Sequence, residues 1–427
     1  SQGGELDVAQ DVKPLSLKAN MLWNSAGSMF YLVCQWLITV LVVRLSSGFD
    51  SAGLLSLATS VVGTFGTFAN YKIGTYQISD IHREYSFNEY MGFRCLTLGI
   101  AFVACLLYSF AKCPLYSIVT IVLYYVYKGV GLVIDICHGE DQLNRRMDYI
   151  GKSFILQGLV SIISFIAVFV LIGDLNVAII AMVVGVVCVL LLFDLRHTSR
   201  FTKIGIGIGT KRALHLLRTS LPAVVASVAA SAIFTVPKQY LLSVAGDSAL
   251  GIYSSIAAPA LVIQMGAQYL YGPLLDVFPR RFFDGKMSEF NRLLARTVLS
   301  IIAVGVICCV GLLFLGERLL VIVFGEQIRA YVYLLQPVLI STLATAFLWF
   351  FGDLLITIRD FRANFFGNVL ALVVVVPLSV LLVNAYGMNG VSFAGAGACL
   401  VGVAYLEFAL ARDSKKQLAA EEADHAE

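Results

Sequence analysis

Long apolar stretches alternate with short polar joins along the whole chain. The apolar segments run at about 17–45, 51–79, 89–111, 114–139, 150–172, 175–195, 213–244, 249–278, 290–315, 328–357, 363–385 and 388–411. A helix needs about 20 mostly apolar residues to cross a bilayer. The pattern therefore predicts an all-α integral membrane protein of about twelve transmembrane helices. The longest basic join, Asp194 to Arg212, divides them into two six-helix halves. The expected organisation is an N-terminal segment at 1–16, a first lobe at 17–196, a linker at 197–212, a second lobe at 213–412 and a tail at 413–427. The tail is charged and expected to be disordered. A faint repeat supports the halves, because FDSAGLLSLATS at 49–60 and GDSALGIYSSIA at 246–257 each open the second helix of their half. Both lie at the same end of the half, which predicts lobes related by a pseudo-twofold axis normal to the membrane.

Composition narrows this further. Of 427 residues, 59% are hydrophobic and 13% charged, and the mean hydropathy is +0.85. Soluble domains are about 45–50% apolar and about 25% charged, so no sizeable soluble domain is expected. The nine cysteines form no CxxC pair and mostly fall in apolar segments, where they read as small buried hydrophobes. The net charge of +3 matters less than its placement. Joins after the even helices and both terminal segments are basic, with Arg83, Arg94, Arg145, Arg146, Lys152, Arg196, Arg200, Lys203, Arg280 and Arg281 among their residues. Joins after the odd helices hold only Arg44, Lys112, Arg318 and Arg329. The positive-inside rule then places both termini in the cytoplasm, as an even helix count also requires. No cleavable signal peptide is visible, and the lack of any Asn-x-Ser/Thr sequon favours a bacterial source.

The candidate chemistry centres on Ile121 to Lys152. This stretch begins as an apolar helix, carries Lys128 near its middle and Asp135 two turns later, and ends in a basic turn. A charge in hydrocarbon costs about 3 kcal/mol on insertion scales, so such residues are rare and line polar cavities. Lys128 and Asp135 face the same way, roughly 10 Å apart along the axis. A cation within the membrane points to an anionic cargo. Lys72, Lys238 and Arg44 are further candidate cavity cations. The alternative readings are snorkelling for Lys72 and Lys238 and an interfacial anchor for Arg44. Asp135 reads either as one half of a structural ion pair with a lysine from another helix or as a coupling-ion or proton site with His138. Pro237 predicts a kink beside Lys238.

Gln35, Gln264 and Gln268 are mid-helix, suited to sugars or to bridging helices. Tyr124, Tyr125, Tyr127, Tyr269 and Tyr271 could stack on sugar rings or serve packing. Gly63, Gly66, Gly129, Gly131, Gly395 and Gly397 suit close packing or hinges. Asp276, Asp353 and Glu407 fall near helix ends expected to be cytoplasmic. Nothing suggests catalysis: His82, His138, His197, His215 and His425 are scattered, and HExxH and GxSxG are absent. No enzyme activity, cofactor, metal or nucleic-acid partner is expected. The GIGIG run at 205–209 is not GxGxxG and reads as a flexible linker.

Five stretches carry a family resemblance. They are NMLWNSAGSMFYLVCQWLITVLVVRL, FDSAGLLSLATS, ALGIYSSIAAP, GEDQLNRRMDYIGKS and AYGMNGVSFAGAG. In order and spacing they resemble the polysaccharide-transporter branch of the MOP exporter superfamily, the Wzx-type flippases, over about 20–410. The resemblance implies a MOP/MATE-like fold with a central cavity. It also implies transfer of a polyprenyl-diphosphate-linked glycan across the bacterial cytoplasmic membrane, for precursors such as O-antigen, capsule, teichoic acid or exopolysaccharide. Membrane lipids, and polysaccharide polymerase or assembly proteins, are the further partners it implies. The family's cationic cavity maps onto Lys72 and Lys128, and then onto Arg44 and Lys238. A cation or drug antiporter of the MATE type, using Asp135, is the alternative. It is weakened because 20–44 and 213–243 contain no acid. Peptidoglycan-precursor flippases have two further helices, for which this chain has no room. SDIHREYSFNEY lacks the run expected of a major facilitator. A membrane scaffold for glycan assembly is the non-transport reading.

Overall fold

The computed structural model describes residues 14–80, 83–260, 264, 267, 271, 274–275 and 277–424. His82, Gln268, Tyr269, Asp276 and His425 lie outside the described residues, as does the expected N-terminal segment up to residue 13. Every regular element among the described residues is helical. Eleven helices there are long and apolar enough to cross a membrane. The expected eighth segment, 249–278, is described continuously only to residue 260. By contact the chain divides into two compact units, Ser1–Val224 and Val225–Glu427.

The first unit holds α1 (Leu17–Leu45), α2 (Asp50–Asn70), α3 (Ile73–Ser79), α4 (Phe87–Lys112), α5 (Ile118–Leu143), α6 (Met147–Ile172), α7 (Leu175–Val189) and α8 (Leu195–Thr198). A π-turn, Leu190–Asp194, joins α7 to α8. α1 packs on α6, α6 on α7, α7 on α5, and α5 on α2 and α4. Exposed apolar residues such as Leu171, 83% exposed, form outer faces that suit lipid rather than water. Close packing between α1 and α6 depends on glycine. A Cβ at Gly27 would collide with the backbone of Gly151, and one at Gly151 with the carbonyl of Trp23. These are not the glycines singled out by sequence, since a Cβ at Gly63 or Gly66 would meet no described atom within 4 Å.

Two features of this unit differ from expectation. The segment 51–79 is not one helix, because Tyr71 (φ 50°) and Lys72 (φ 56°) are both left-handed and separate α2 from α3. The GIGIG run is not a free linker. Gly207 N donates to Asn88 O at 3.1 Å, and a Cβ on Gly92 would come within 2.8 Å of the Gly207 carbonyl carbon. Glycine at 92 lets this stretch of linker lie against α4. A capping box fixes the start of α4, with Ser86 and Glu89 each accepting the other's backbone N–H. Arg212 then clamps both Glu89 oxygens at 2.6 and 2.7 Å.

In the second unit α9 (Thr210–Ala257), which begins in the first, leads to α10 (Val277–Phe283), α11 (Met287–Phe324), α12 (Leu335–Thr357), α13 (Phe361–Tyr386) and α14 (Met388–Asp424). The non-helical residue within α9 is Gly246 (φ 81°), not a position beside Pro237. α14 packs on α12 and α13, around a core that includes Phe278, Phe290, Phe350 and Leu406. Only 11% of the most apolar window of α11 is buried by protein, and Phe314 is 75% exposed, as suits a lipid-facing helix. The tail is not disordered up to Asp424, because α14 continues through it. Its Lys, Gln, Leu, Ala and Glu residues favour helix, and a helix already nucleated in the apolar part extends readily. Arg412 secures the junction by donating to Asp360 at 2.8 Å.

Candidate functional site

Lys128 lies half-buried on α5, where its ammonium turns toward α1. Its Nζ donates to Gln35 Oε1 at 3.3 Å. Gln35 Nε2 donates in turn to Tyr127 OH at 2.8 Å, and that hydroxyl meets Ser161 Oγ of α6 at 2.9 Å. The ammonium also lies 5.7, 5.7 and 5.4 Å from the ring centroids of Tyr31, Tyr124 and Tyr127, within cation–π range. No carboxylate of a described residue forms an ion pair with it. The result is a desolvated cation held in place by rings and an amide, with spare donors and no acid to neutralise it. An oxyanion fits such a group well, and Gln35 and the phenols beside it suit hydroxyl-bearing ligands.

Asp135 is occupied elsewhere. Its Oδ2 accepts from Arg94 Nη2 at 3.2 Å; the Arg94 side chain is fully buried and that of Asp135 is 44% exposed. Arg94 Nη1 also donates to Ala69 O at 2.9 Å and Asn70 O at 2.7 Å, and Nη2 to Asn70 Oδ1 at 3.1 Å. Thr97 adds a bond to Ala69 O at 2.8 Å. The end of α2 leaves carbonyls without helical partners, and α4 supplies donors to them. This explains how two consecutive left-handed residues are held without glycine. The acid that the cation-antiporter reading relies on is thus paired with an arginine.

The remaining candidates are dispersed. Lys72 is exposed at the break between α2 and α3, where it precedes the first residue of α3. Arg44 is exposed in the last turn of α1, where a cation complements the helix dipole. Lys238, in the second unit, is half-buried on α9 and makes no hydrogen bond or ion pair with a described residue. Tyr125 donates to Leu98 O at 2.8 Å and Tyr271 to Asp353 Oδ2 at 3.1 Å, so both phenols have structural partners. Sequence reasoning named Gln35, Tyr124, Tyr127 and Lys128 one by one, but it missed Tyr31, the spacing that joins them, and the role of Arg94. Tyr31 and Gln35, four apart on α1, and Tyr124 and Lys128, four apart on α5, were a readable pair of one-turn spacings. Arg94 was assigned to a basic join, although it falls inside the apolar segment 89–111.

Comparison with known proteins gives the family and the fold. A family model described as polysaccharide biosynthesis protein matches residues 17–279, more than half of the chain. The chain belongs to the polysaccharide biosynthesis protein family. This agrees with the resemblance carried by the five sequence stretches. Among curated members, the capsular polysaccharide biosynthesis protein CapF of Staphylococcus aureus is 24% identical over 381 residues, covering 87% of this chain and 93% of CapF. Among solved structures, the lipid II flippase MurJ in an inward closed conformation aligns with a TM-score of 0.71 at 13% identity, covering 93% of this chain and 90% of MurJ. The MATE transporter VcmN of Vibrio cholerae aligns at 0.60 with 12% identity, covering 94% of this chain and 97% of VcmN. At these identities the likeness establishes the fold, which is that of the MOP exporters. The family is thus represented here by a multi-pass membrane protein with that fold.

Proposed function

We propose that this family member is a flippase. Its cargo is a polyprenyl-diphosphate-linked oligosaccharide, carried across the bacterial cytoplasmic membrane for cell-surface polysaccharide synthesis. The observation that carries this reading is Lys128, a half-buried cation with rings and an amide around it and no acid among the described residues paired to it. The diphosphate takes the place of that missing acid. Lys72, Lys238 and Arg44 supply further positive charge along the route, and Gln35 and the neighbouring phenols face the sugars. The prenyl chain stays in lipid, where its transfer into a polar cavity would be unfavourable. The lobes 17–196 and 213–412, joined by the linker 197–212, alternate access to the two faces, with both termini in the cytoplasm. The protein makes and breaks no covalent bond. The names of CapF and MurJ support a surface-glycan precursor as the cargo class.

Thermal stability of the purified protein tests this reading against the antiporter. A ligand at 100 times its Kd stabilises a fold by about 2.7 kcal/mol. A polyprenyl-diphosphate oligosaccharide is expected to give that shift, and a lipophilic organic cation is not. Stabilisation by the cation alone would end the flippase reading.

A further inference from the structure

One buried charged cluster has no part in cargo binding. At the end of α5, His138, Glu140 and Asp141 are each no more than 5% exposed, and Asp194 of the π-turn is 1% exposed. Glu140 is answered by Arg83 at 3.0 Å. His138 Nε2 lies 3.4 Å from Asp194 Oδ1, without a formed hydrogen bond. Neither carboxylate oxygen of Asp141, nor of Asp194, has a hydrogen-bond partner among the described residues. Asp141 follows His138 by three residues, on the same face of α5.

Among the described residues, the surrounding groups do not neutralise the cluster. On α5, Asp135 is held by Arg94, and Cys137 is an uncharged thiol. On α6, Asp148 engages Arg146 at 2.8 Å and Lys152 at 3.2 Å, and Phe154 sets its ring edge against His138. From α3 comes the uncharged Gln77, which donates to Ile136 O at 3.0 Å. On α8, His197 directs Nδ1 to Phe193 O at 2.7 Å. Two buried carboxylates thus share at most one cation, the imidazolium of His138. One net negative charge would remain among buried groups. A buried carboxylate without a partner is neutralised by protonation rather than staying ionised.

We infer that His138, Asp141 and Asp194 form a proton-binding site, in which Asp141 holds a proton beside the paired His138 and Asp194. Occupied, the site lets α8 and the π-turn pack on the end of α5. Emptied, it sets Asp141 and Asp194 against each other, and the contact opens. The π-turn is the weak point at which such a shift is absorbed, since its wider turn packs less regularly than α-helix. The inference does not depend on the cargo.

Hydrogen exchange of the full-length protein in nanodiscs tests it, read at residues 195–202 and corrected for intrinsic exchange. Ser199 N and Phe201 N, bonded to Leu195 O and Thr198 O at 2.9 Å, report the opening. Where opening releases one proton, its equilibrium constant rises about tenfold per pH unit. The wild type gives up the Asp141 proton on opening and, above about pH 6.5, that of His138 as well, so its slope is expected to approach a hundredfold per unit between pH 7 and 8. Asp141→Asn, which mimics the neutral acid, is expected to lower it to about tenfold, and so is Asp194→Asn, which leaves one carboxylate for His138. A flat wild type, or equal slopes in the wild type and either folded variant, overturns the proposal. Protection restored at pH 9 by sodium chloride but not choline chloride assigns the site to a metal cation and also overturns it.

Discussion

Lys128→Ala is expected to weaken binding of a polyprenyl-diphosphate oligosaccharide by roughly 10- to 100-fold, with little loss of stability in the ligand-free protein. A hydrogen bond to a charged group contributes about 1.5–3 kcal/mol, and each 1.4 kcal/mol is tenfold in affinity. The protein itself has less at stake. Lys128 makes one long bond, 3.3 Å to Gln35, and Gln35 keeps its 2.8 Å bond to Tyr127 when the lysine is gone. No described acid is left unpaired. Affinity read from ligand-dependent melting separates the two effects. A variant that binds the diphosphate as tightly as the wild type removes Lys128 from the site.

Arg94→Ala is expected to do the reverse, with a large loss of stability. Arg94 reaches two carbonyls and one side-chain oxygen at the end of α2, and the carboxylate of Asp135 on α5. Removing one partner of a buried ion pair costs about 3–5 kcal/mol, and the partial exposure of Asp135 argues for the lower end. For a body of this size about 3 kcal/mol corresponds to a melting shift of roughly 6–12 °C. Adding Asp135→Asn to Arg94→Ala should recover part of that shift, because it removes the stranded carboxylate. Lys72 sits at the break that Arg94 secures, so its position should loosen too. Melting of the single and double variants in nanodiscs checks both points, and a wild-type melting point for Arg94→Ala would refute the role.

The parts of the fold legible in sequence were those set by hydropathy, because every spanning helix must satisfy its backbone internally and present apolar side chains. The helix series, the family resemblance and the intramembrane lysine all follow from that local signal. The break at Tyr71–Lys72 was not legible. TFANYKIG contains no residue at 71 or 72 that favours left-handed backbone, and the donors that stabilise the break come from Arg94 on another helix. The same reason hid the pairing of Asp135, for which a lysine had been expected. It also hid the cluster of His138 and Asp194, 56 residues apart, which packing alone brings together. The join after residue 204 looked free because glycine was read as flexibility. The linker is instead held against α4, where Gly92 lets the backbone of Gly207 come close.

The most direct test of a flippase is translocation by the purified protein alone in liposomes. The lipid would be a fluorescent polyprenyl-diphosphate oligosaccharide, and a membrane-impermeant quencher would report which leaflet holds it. A flippase moves labelled lipid from the protected to the quenchable pool, faster in wild-type vesicles than in those bearing Lys128→Ala. A rate no greater than that of protein-free vesicles would contradict transport and leave a scaffold for glycan assembly as the reading that survives.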